Sequence, residues 1–497
     1  MRPVIIAFIM KLSWLVILST VIVIAVLGII YWWNMPRLLA VFPPNGQTEV
    51  PAGTAIRLTF SRPMDRDSIS ERLSINPKMN GSISWQENKL TFTPEEPWSA
   101  GETIQVQLDA GGKATSLLSL PLLSIKSWSF SIRQPSLVYL YPNAGPANLF
   151  FINPRTEEIQ QLTDSPGGVL GYHINTSGST IYYSVVNQDG SSDIYRIDIN
   201  SETEDQTKND ATSAPINRTS ELVLSCPGAL CRSPRISPQG DYLAYERTAS
   251  TGSMGPDYPQ VWLLPMSSED SSSPESPQEP APEPALAGEA DHQTLLPDWS
   301  PDGLLTFYDS DIEAFVFLDS RSGESTLFSN QTGMPGSWHP NGRDYVAPEI
   351  IFMDEETSDS TADLESYASS HLILFNRRDR SSQDLTTGKD FLEDTTPVFS
   401  PDGSYLAFAR KFLDNARWTP GRQLWLLEVD KTGAVQYTDN PNFNHFDFAW
   451  SPDGSQLAYV RFNQTTLNEA TEIWLIDTNN GLTTSLVQGG FAPQWIH

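Results

Sequence analysis

The chain spells "FSPDGSYLAFAR" at 399–410 and, 51 residues further on, "WSPDGSQLAYVR" at 450–461. A repeat of this kind constrains the fold more than any local signal, because each copy is a unit that must stack on its neighbours to bury its apolar face. Related spellings stand at 174–178 (INTSG), 236–240 (ISPQG), 299–303 (WSPDG) and 338–342 (WHPNG), and a truncated one, "PQWIH", ends the chain at 493–497. Each complete copy leads into an apolar run such as "YLAYER" or "YLAFAR", then a further run such as "QVWLLPM" or "EIWLID". The aromatic or Ile ends one strand. Pro-Asp-Gly supplies the reversal, with Gly free to take positive φ and Asp able to cap the turn.

Four antiparallel strands per copy, stacked radially, make the blade of a β-propeller. Third strands number seven, because "ANLFFIN" at 147–153 precedes the first complete copy, although six or eight blades follow if the degenerate copies mislead. The leading repeat lacks a first strand, and "APQWIH" is a first strand with nothing after it. The expectation is that the C-terminal strand joins the first sheet and closes the ring. Residues 136–497 give about 52 residues per blade, above the ~40–45 of a compact blade, so insertions are expected. Residues 267–290, rich in Ser, Pro, Glu and Ala, read as a disordered insert, with shorter relatives at 201–214 and 354–370. The repeats resemble the TolB-type propeller repeat from about residue 136 to the end, departing from it where "INTSG" lacks the Pro and His339 replaces Ser.

Ahead of the repeats, residues 41–132 alternate apolar and polar in short runs such as "AIRLTF", "KLTFTP" and "TIQVQL". That pattern indicates a β-sandwich of roughly a hundred residues. The stretch "PPNGQTEVPAGTAIRLTFSRPMD" with "LTFTPEEPWSAGETIQVQL" resembles bacterial Ig-like domains of the SbsA type, which implies a spacer or adhesion module without catalytic residues.

From Leu12 to Trp33 there are 22 residues without a charge, ending in Tyr31, Trp32 and Trp33. A helix of that length spans about 33 Å, enough to cross a bilayer, and amphipathic rings favour its boundary. Arg2 and Lys11 precede the span and Arg37 follows it, which keeps the N-terminus cytoplasmic and exports the rest to the periplasm or cell surface. The reading is therefore 1–36 cytoplasmic N-terminus and transmembrane helix, 37–133 sandwich, 134–497 propeller, an all-β chain whose residues 12–33 partner the lipid bilayer.

The net charge of −29 argues against nucleic acid, which is bound through Lys and Arg on phosphates. Cys226 and Cys231, in "CPGALC", read as a disulfide closing a tight loop, since zinc would need two more ligands of suitable spacing. No cofactor or metal motif is present, and "NQDGSSD" at 187–193 reads as ordinary turn chemistry. Propellers that resemble this one occur in prolyl-oligopeptidase-type enzymes, but no α/β-hydrolase signature accompanies this one.

Two sets of residues are candidates for binding. The residue before each motif's aromatic or Ile differs from blade to blade, and His173, Arg235 and Asp298 come from adjacent copies on strands expected to line the axis. Inter-blade packing with satisfied hydrogen bonds is the plainer reading of those three. Trp418, Phe443 and Phe446, in "FLDNARWTPGR" and "NPNFNHF", fall on the loop-rich face and are expected to form an exposed aromatic platform with Arg417 and Arg422 or else to fold over the blade tips. The function expected is non-catalytic binding or scaffolding of an envelope protein or glycan. The rival is an enzyme of polysaccharide lyase or hydrolase type with its site in the propeller funnel.

Overall fold

A computed structural model describes residues 20, 22–26, 31–32, 34–48, 50, 53–95, 98–99, 101–115, 119–199, 219–250, 252, 255–266, 283–354, 366–388, 390–431, 433–466 and 468–496. The chain divides into two compact units, Met1–Gln134 and Pro135–His497.

In the first unit, Leu38–Phe42, Ile56–Phe60, Lys89–Pro94 and Gly81–Gln86 form one antiparallel sheet, and Leu73–Asn76, Thr103–Leu108 and Lys126–Ser131 a second. Alternation drives this packing: along Thr103–Leu108, Ile104, Val106 and Leu108 are fully buried while the residues between them are exposed. Trp98 lies in the same core, its indole N–H donating to Thr54 O at 2.9 Å. Most of the expected membrane span falls outside the described residues. Those described between 20 and 26 are helical, and among the described residues no helix is long and apolar enough to cross a membrane.

The second unit is a β-propeller whose blades follow the motif. The first sheet runs, from its inner edge, Phe491–Ile496, Ser136–Tyr141, Asn148–Asn153 and Glu158–Gln161. The second is Val169–Ile174, Thr180–Val186, Ser192–Asp198 and Ser220–Leu224, and the third Ala229–Ile236, Tyr242–Ala249, Gln260–Pro265 and Ala285–Leu286. The fourth is Thr294–Trp299, Leu305–Asp309, Ala314–Leu318 and Ser325–Ser329. Strands Ser337–Trp338, Asp344–Asp354, Ser366–Asn376 and Ser381–Asp384 pair with one another, as do Leu392–Phe399, Tyr405–Phe412, Gln423–Glu428 and Val435–Gln436. One parallel pairing, Ser370 with Glu393, fuses these two sets into an eight-stranded sheet. Phe443–Trp450, Gln456–Asn463, Glu472–Asp477 and Thr483–Gln488 complete the series.

Second strands are apolar on both faces because each sheet is covered by a neighbour on either side. Leu406, Ala407, Phe408 and Ala409 are consecutive and all buried, and so are Leu457 to Val460. The C-terminal strand pairs antiparallel with Ser136–Tyr141, placing Trp495 opposite Leu137. Trp495 packs into one core with Tyr139, Ala458 and Leu475, so the first sheet rests against the last.

The turn motif works through its Ser more than its Asp. Ser400 Oγ accepts from Tyr405 N at 2.9 Å and is held by Asp402 Oδ1 at 2.6 Å, and Ser451 does the same with Gln456 N and Asp453. In "INTSG" the Asn175 carboxamide takes the Ser role, accepting from Ser179 N and Thr180 N. In "WHPNG" it is Asn341 that accepts, from Arg343 N and Asp344 N. Gly303, at φ +93°, stands where the reversal needs a left-handed residue.

Two expected insert boundaries are corrected. The segment 267–290 does not stay irregular to its end: residues 267–282 are outside the description, but Ala285–Leu286 pairs with the third strand of its blade, opposite Leu263 and Trp262. Of 354–370, Ser366 onward belongs to a strand, because the hairpin of the fifth copy is extended to eleven residues a side.

Candidate functional site

The first strands of neighbouring blades contact one another along the inner edge of the sheets. Five of these strands are bulged just before the motif. Register shifts fall between Arg232 and Arg235, Leu295 and Asp298, Thr395 and Val398, Phe446 and Ala449, and Phe491 and Gln494. Ser233, Leu296, Thr396, Asp447 and Ala492 occupy these bulges with φ between 50° and 58°, a left-handed conformation unusual outside glycine. In four of the five a proline follows: Pro234, Pro297, Pro397 and Pro493.

In three copies the motif's Trp completes the contact in the opposite direction, whereas Trp338 Nε1 donates to Thr306 Oγ1. Trp299 Nε1 donates to Arg235 O at 2.9 Å, Trp450 Nε1 to Val398 O at 3.1 Å and Trp495 Nε1 to Ala449 O at 2.8 Å. Each of these three indoles therefore caps the carbonyl of the residue before the motif in the preceding blade. Side chains at that position reach forward: Gln494 Oε1 accepts from Ile174 N at 3.4 Å, His173 Nδ1 from Ile236 N at 3.3 Å and Ser337 Oγ from Phe399 N at 3.2 Å.

His173, Arg235 and Asp298 are brought together by this girdle, and all three are half-buried. Because His173 Nδ1 accepts, its neutral ring carries the proton on Nε2. Burial, with the Arg235 guanidinium as a second cause, pushes its pKa down to about 3, so the ring stays neutral. Arg235 Nη1 donates to Tyr172 O at 3.3 Å and Pro234 O at 3.0 Å. Burial raises the Asp298 carboxyl, while Arg235 and the Trp299 N–H oppose the rise. The set thus offers a neutral N–H donor, a guanidinium and a carboxylate on three consecutive inner strands.

Sequence reasoning missed Asp447. It is accessible to solvent, yet the surrounding protein raises its carboxyl to about 6, with the Ala492 N–H partly offsetting that rise. Burial drives the Tyr172 phenol well above its ordinary range, and Asp447 adds to this while Arg235 opposes it. The signal for Asp447 was its place in the bulge, where the other blades carry Ser233, Leu296, Thr396 or Ala492.

The aromatic set is arranged differently. Trp418 is 54% exposed and lies beneath Lys411 Nζ, 4.9 Å from its ring centre. Phe443 and Phe446 are half-buried and belong to the inner strand Phe443–Trp450, not to a loop. Phe443 is covered by the Arg461 guanidinium at 4.3 Å, and Phe446 meets Phe462 edge-on at 5.6 Å. Arg417 is held by Asp390 and Asp414, and Arg422 by Glu393. Each ring has a different neighbour. Cys226 and Cys231 form a disulfide at the head of the third blade. Among the described residues no group of His, Cys, Asp or Glu is placed to hold a metal ion.

Residues 34–132 match the bacterial Ig-like domain family. This segment is a bacterial Ig-like domain. Among curated proteins, the uncharacterised peptidase YuxL of Bacillus subtilis is 25% identical over 104 residues, which is 20% of this chain and 15% of that protein's length. Among solved structures, TolB of Acinetobacter baumannii is 13% identical with a TM-score of 0.40, covering 86% of this chain and 83% of its own. Oligogalacturonate lyase of Vibrio parahaemolyticus is 12% identical with a TM-score of 0.39, covering 65% and 74%. At such scores the propeller rests on its own strand pairings.

Proposed function

We propose that the chain is a tethered binding protein of the cell envelope. In this reading residues 12–33 anchor it in the bilayer, the Ig-like domain is a spacer outside the cytoplasm, and seven blades close into a ring that binds an envelope protein or glycan. The Cys226–Cys231 disulfide favours an oxidising compartment. Pairing of Phe491–Ile496 with Ser136–Tyr141, capped by the Trp495 indole on Ala449 O, favours closure.

The observation that carries the binding role is the meeting of His173, Arg235 and Asp298 on successive inner strands, half-exposed and chemically unlike one another. Recognition fits them better than turnover. A histidine with its pKa near 3 and Nδ1 already engaged is a weak proton acceptor at neutral pH, far from the value a general base needs. The rings flanking them, Tyr172 and Trp299, are buried, which favours peptide groups over a stacked sugar.

The test is capture of envelope proteins by the full chain in detergent, run beside a glycan array, with the native chain and an Arg235→Ala/Asp298→Ala double variant. A partner retained by the native chain and lost by a folded double variant supports the reading. Equal retention by both, or turnover of a polysaccharide, overturns it.

A further inference from the structure

One end of the Ig-like domain carries an apolar surface that its core does not use. Tyr31, Trp32, Leu39, Leu123 and Ile125 are exposed by 47, 62, 63, 63 and 61%. Trp32, the residues from Met35 to Leu38, and Leu123, Ser124 and Lys126 line a single cavity of about 310 Å³. The two chain segments are therefore neighbours in space although some ninety residues separate them. Met35 N–H turns back to Trp32 O at 3.4 Å, and the Arg37 guanidinium sits 4.3 Å from the Trp32 ring centre.

Two cations frame this surface. Arg37 and Lys126 are both exposed, and among the described residues the ion pair within this unit joins Arg72 to Glu71 instead. Exposed aliphatic side chains beside unpaired cations and terminal Trp and Tyr rings are the composition of a membrane boundary, where rings sit at headgroup level and cations meet anionic lipid. Chain length restricts the occupant further. Leu39 follows Trp33 by six residues, so it lies no more than about 20 Å from the end of the apolar stretch even if the chain is fully extended.

We propose that this end of the Ig-like domain docks on an anionic lipid surface, with Leu39, Leu123 and Ile125 entering the headgroup region and Arg37 and Lys126 on lipid phosphates. The proposal rests on the reading of residues 12–33 as the anchor. It adds that the spacer is seated on the bilayer and does not stand free of it.

The test uses the full chain with Leu123→Cys carrying an environment-sensitive fluorophore. The chain's two cysteines are joined to each other, so the label goes to the new thiol alone. The probe is a vesicle of phosphatidylcholine, with or without phosphatidylglycerol, and flotation reports the anchor independently of the label. Docking predicts a blue-shifted emission, quenched by lipids spin-labelled near the headgroup, and weaker quenching in phosphatidylglycerol vesicles after Arg37→Ala/Lys126→Ala. Flotation with a water-like, unquenched label overturns the docking and leaves the anchor standing. Failure to float overturns both. A blue shift that lipid quenchers do not touch, and that grows with protein concentration, also overturns the docking and assigns the surface to a second copy of the chain.

Discussion

The inner edge of the propeller and its loop-rich face were both expected to gather side chains into a site, and they behave differently. At the inner edge, His173, Arg235 and Asp298 occupy one position of successive repeats, so stacking alone makes them neighbours. Of the rings expected on the loop-rich face, Trp418 sits in a loop while Phe443 and Phe446 lie on an inner strand, and each is taken up by a local partner: Lys411, Arg461 or Phe462. A repeat protein turns equivalence in sequence into adjacency in space only at positions that every blade shares. Loops are outside that rule.

The sharpest way to break the comparison is Trp495→Ala. It removes a buried ring and its hydrogen bond to Ala449 O at 2.8 Å, on the strand that joins first and last sheets. The expected loss is about 3–5 kcal/mol, read from the urea midpoint of the full chain. A loss below about 1 kcal/mol would mean that the last strand carries little of the fold.

Next comes Asp394→Ala. Asp394 is fully buried and bidentate to Arg410, with both bonds at 2.7 Å. Its removal strands a guanidinium whose side chain is only 10% exposed, at an expected cost of about 3 kcal/mol, the lower end for a broken buried pair. Arg417→Ala, which breaks the exposed pairs with Asp390 and Asp414, should cost less than about 1 kcal/mol. Equal losses would erase the distinction between the two regions.

The pH dependence of stability separates two members of the girdle by sign. His173 titrates near 3 in the folded chain, below an unfolded histidine, so its contribution is present above about pH 6.5 and is lost as pH falls toward 3. Asp447 titrates near 6, above an unfolded carboxyl, so its contribution is present below about pH 4 and is lost as pH rises through 6. Urea midpoints between pH 4 and 7.5 should therefore show His173→Asn and Asp447→Asn departing from the native curve with opposite slopes. Slopes of the same sign would contradict the assigned environments.

Smallest of all is Trp418→Ala, at under about 0.5 kcal/mol, as for a surface change away from any special feature. A larger loss, in the same urea titration, would show that this ring is part of the packing after all.

Much of the fold is legible in the letters. Pro-Asp-Gly or a variant ending in Gly marks each turn, the trailing "APQWIH" declares a strand in need of a partner, and the alternation of "TIQVQL" against the continuous burial within "YLAFAR" distinguishes a sheet wet on one face from one covered on both. Less visible was the reason for the turn's Ser, because its hydroxyl acts on an amide four or five residues later. Also hidden was a tie between the chain that follows each fourth strand and the third strand, where Thr163, Thr294, Thr386 and Thr438 accept from the amides of Leu149, Val261, Leu372 and Leu424. Its spacing is fourteen residues in three blades and thirty-three in the fourth, where the long insert intervenes.

The sequence by itself determined the repeat, its register and which residues would stand before each turn, since a period is a property of the string. Only the tertiary structure decided what those residues do. Stacking sets them against the next blade, as His173 Nδ1 accepting from Ile236 N shows, and the protein around them then leaves His173 neutral and lifts the Asp447 carboxyl to about 6. Those shifts come from desolvation, which depends on how much protein surrounds a charge and not on the residues beside it in the chain.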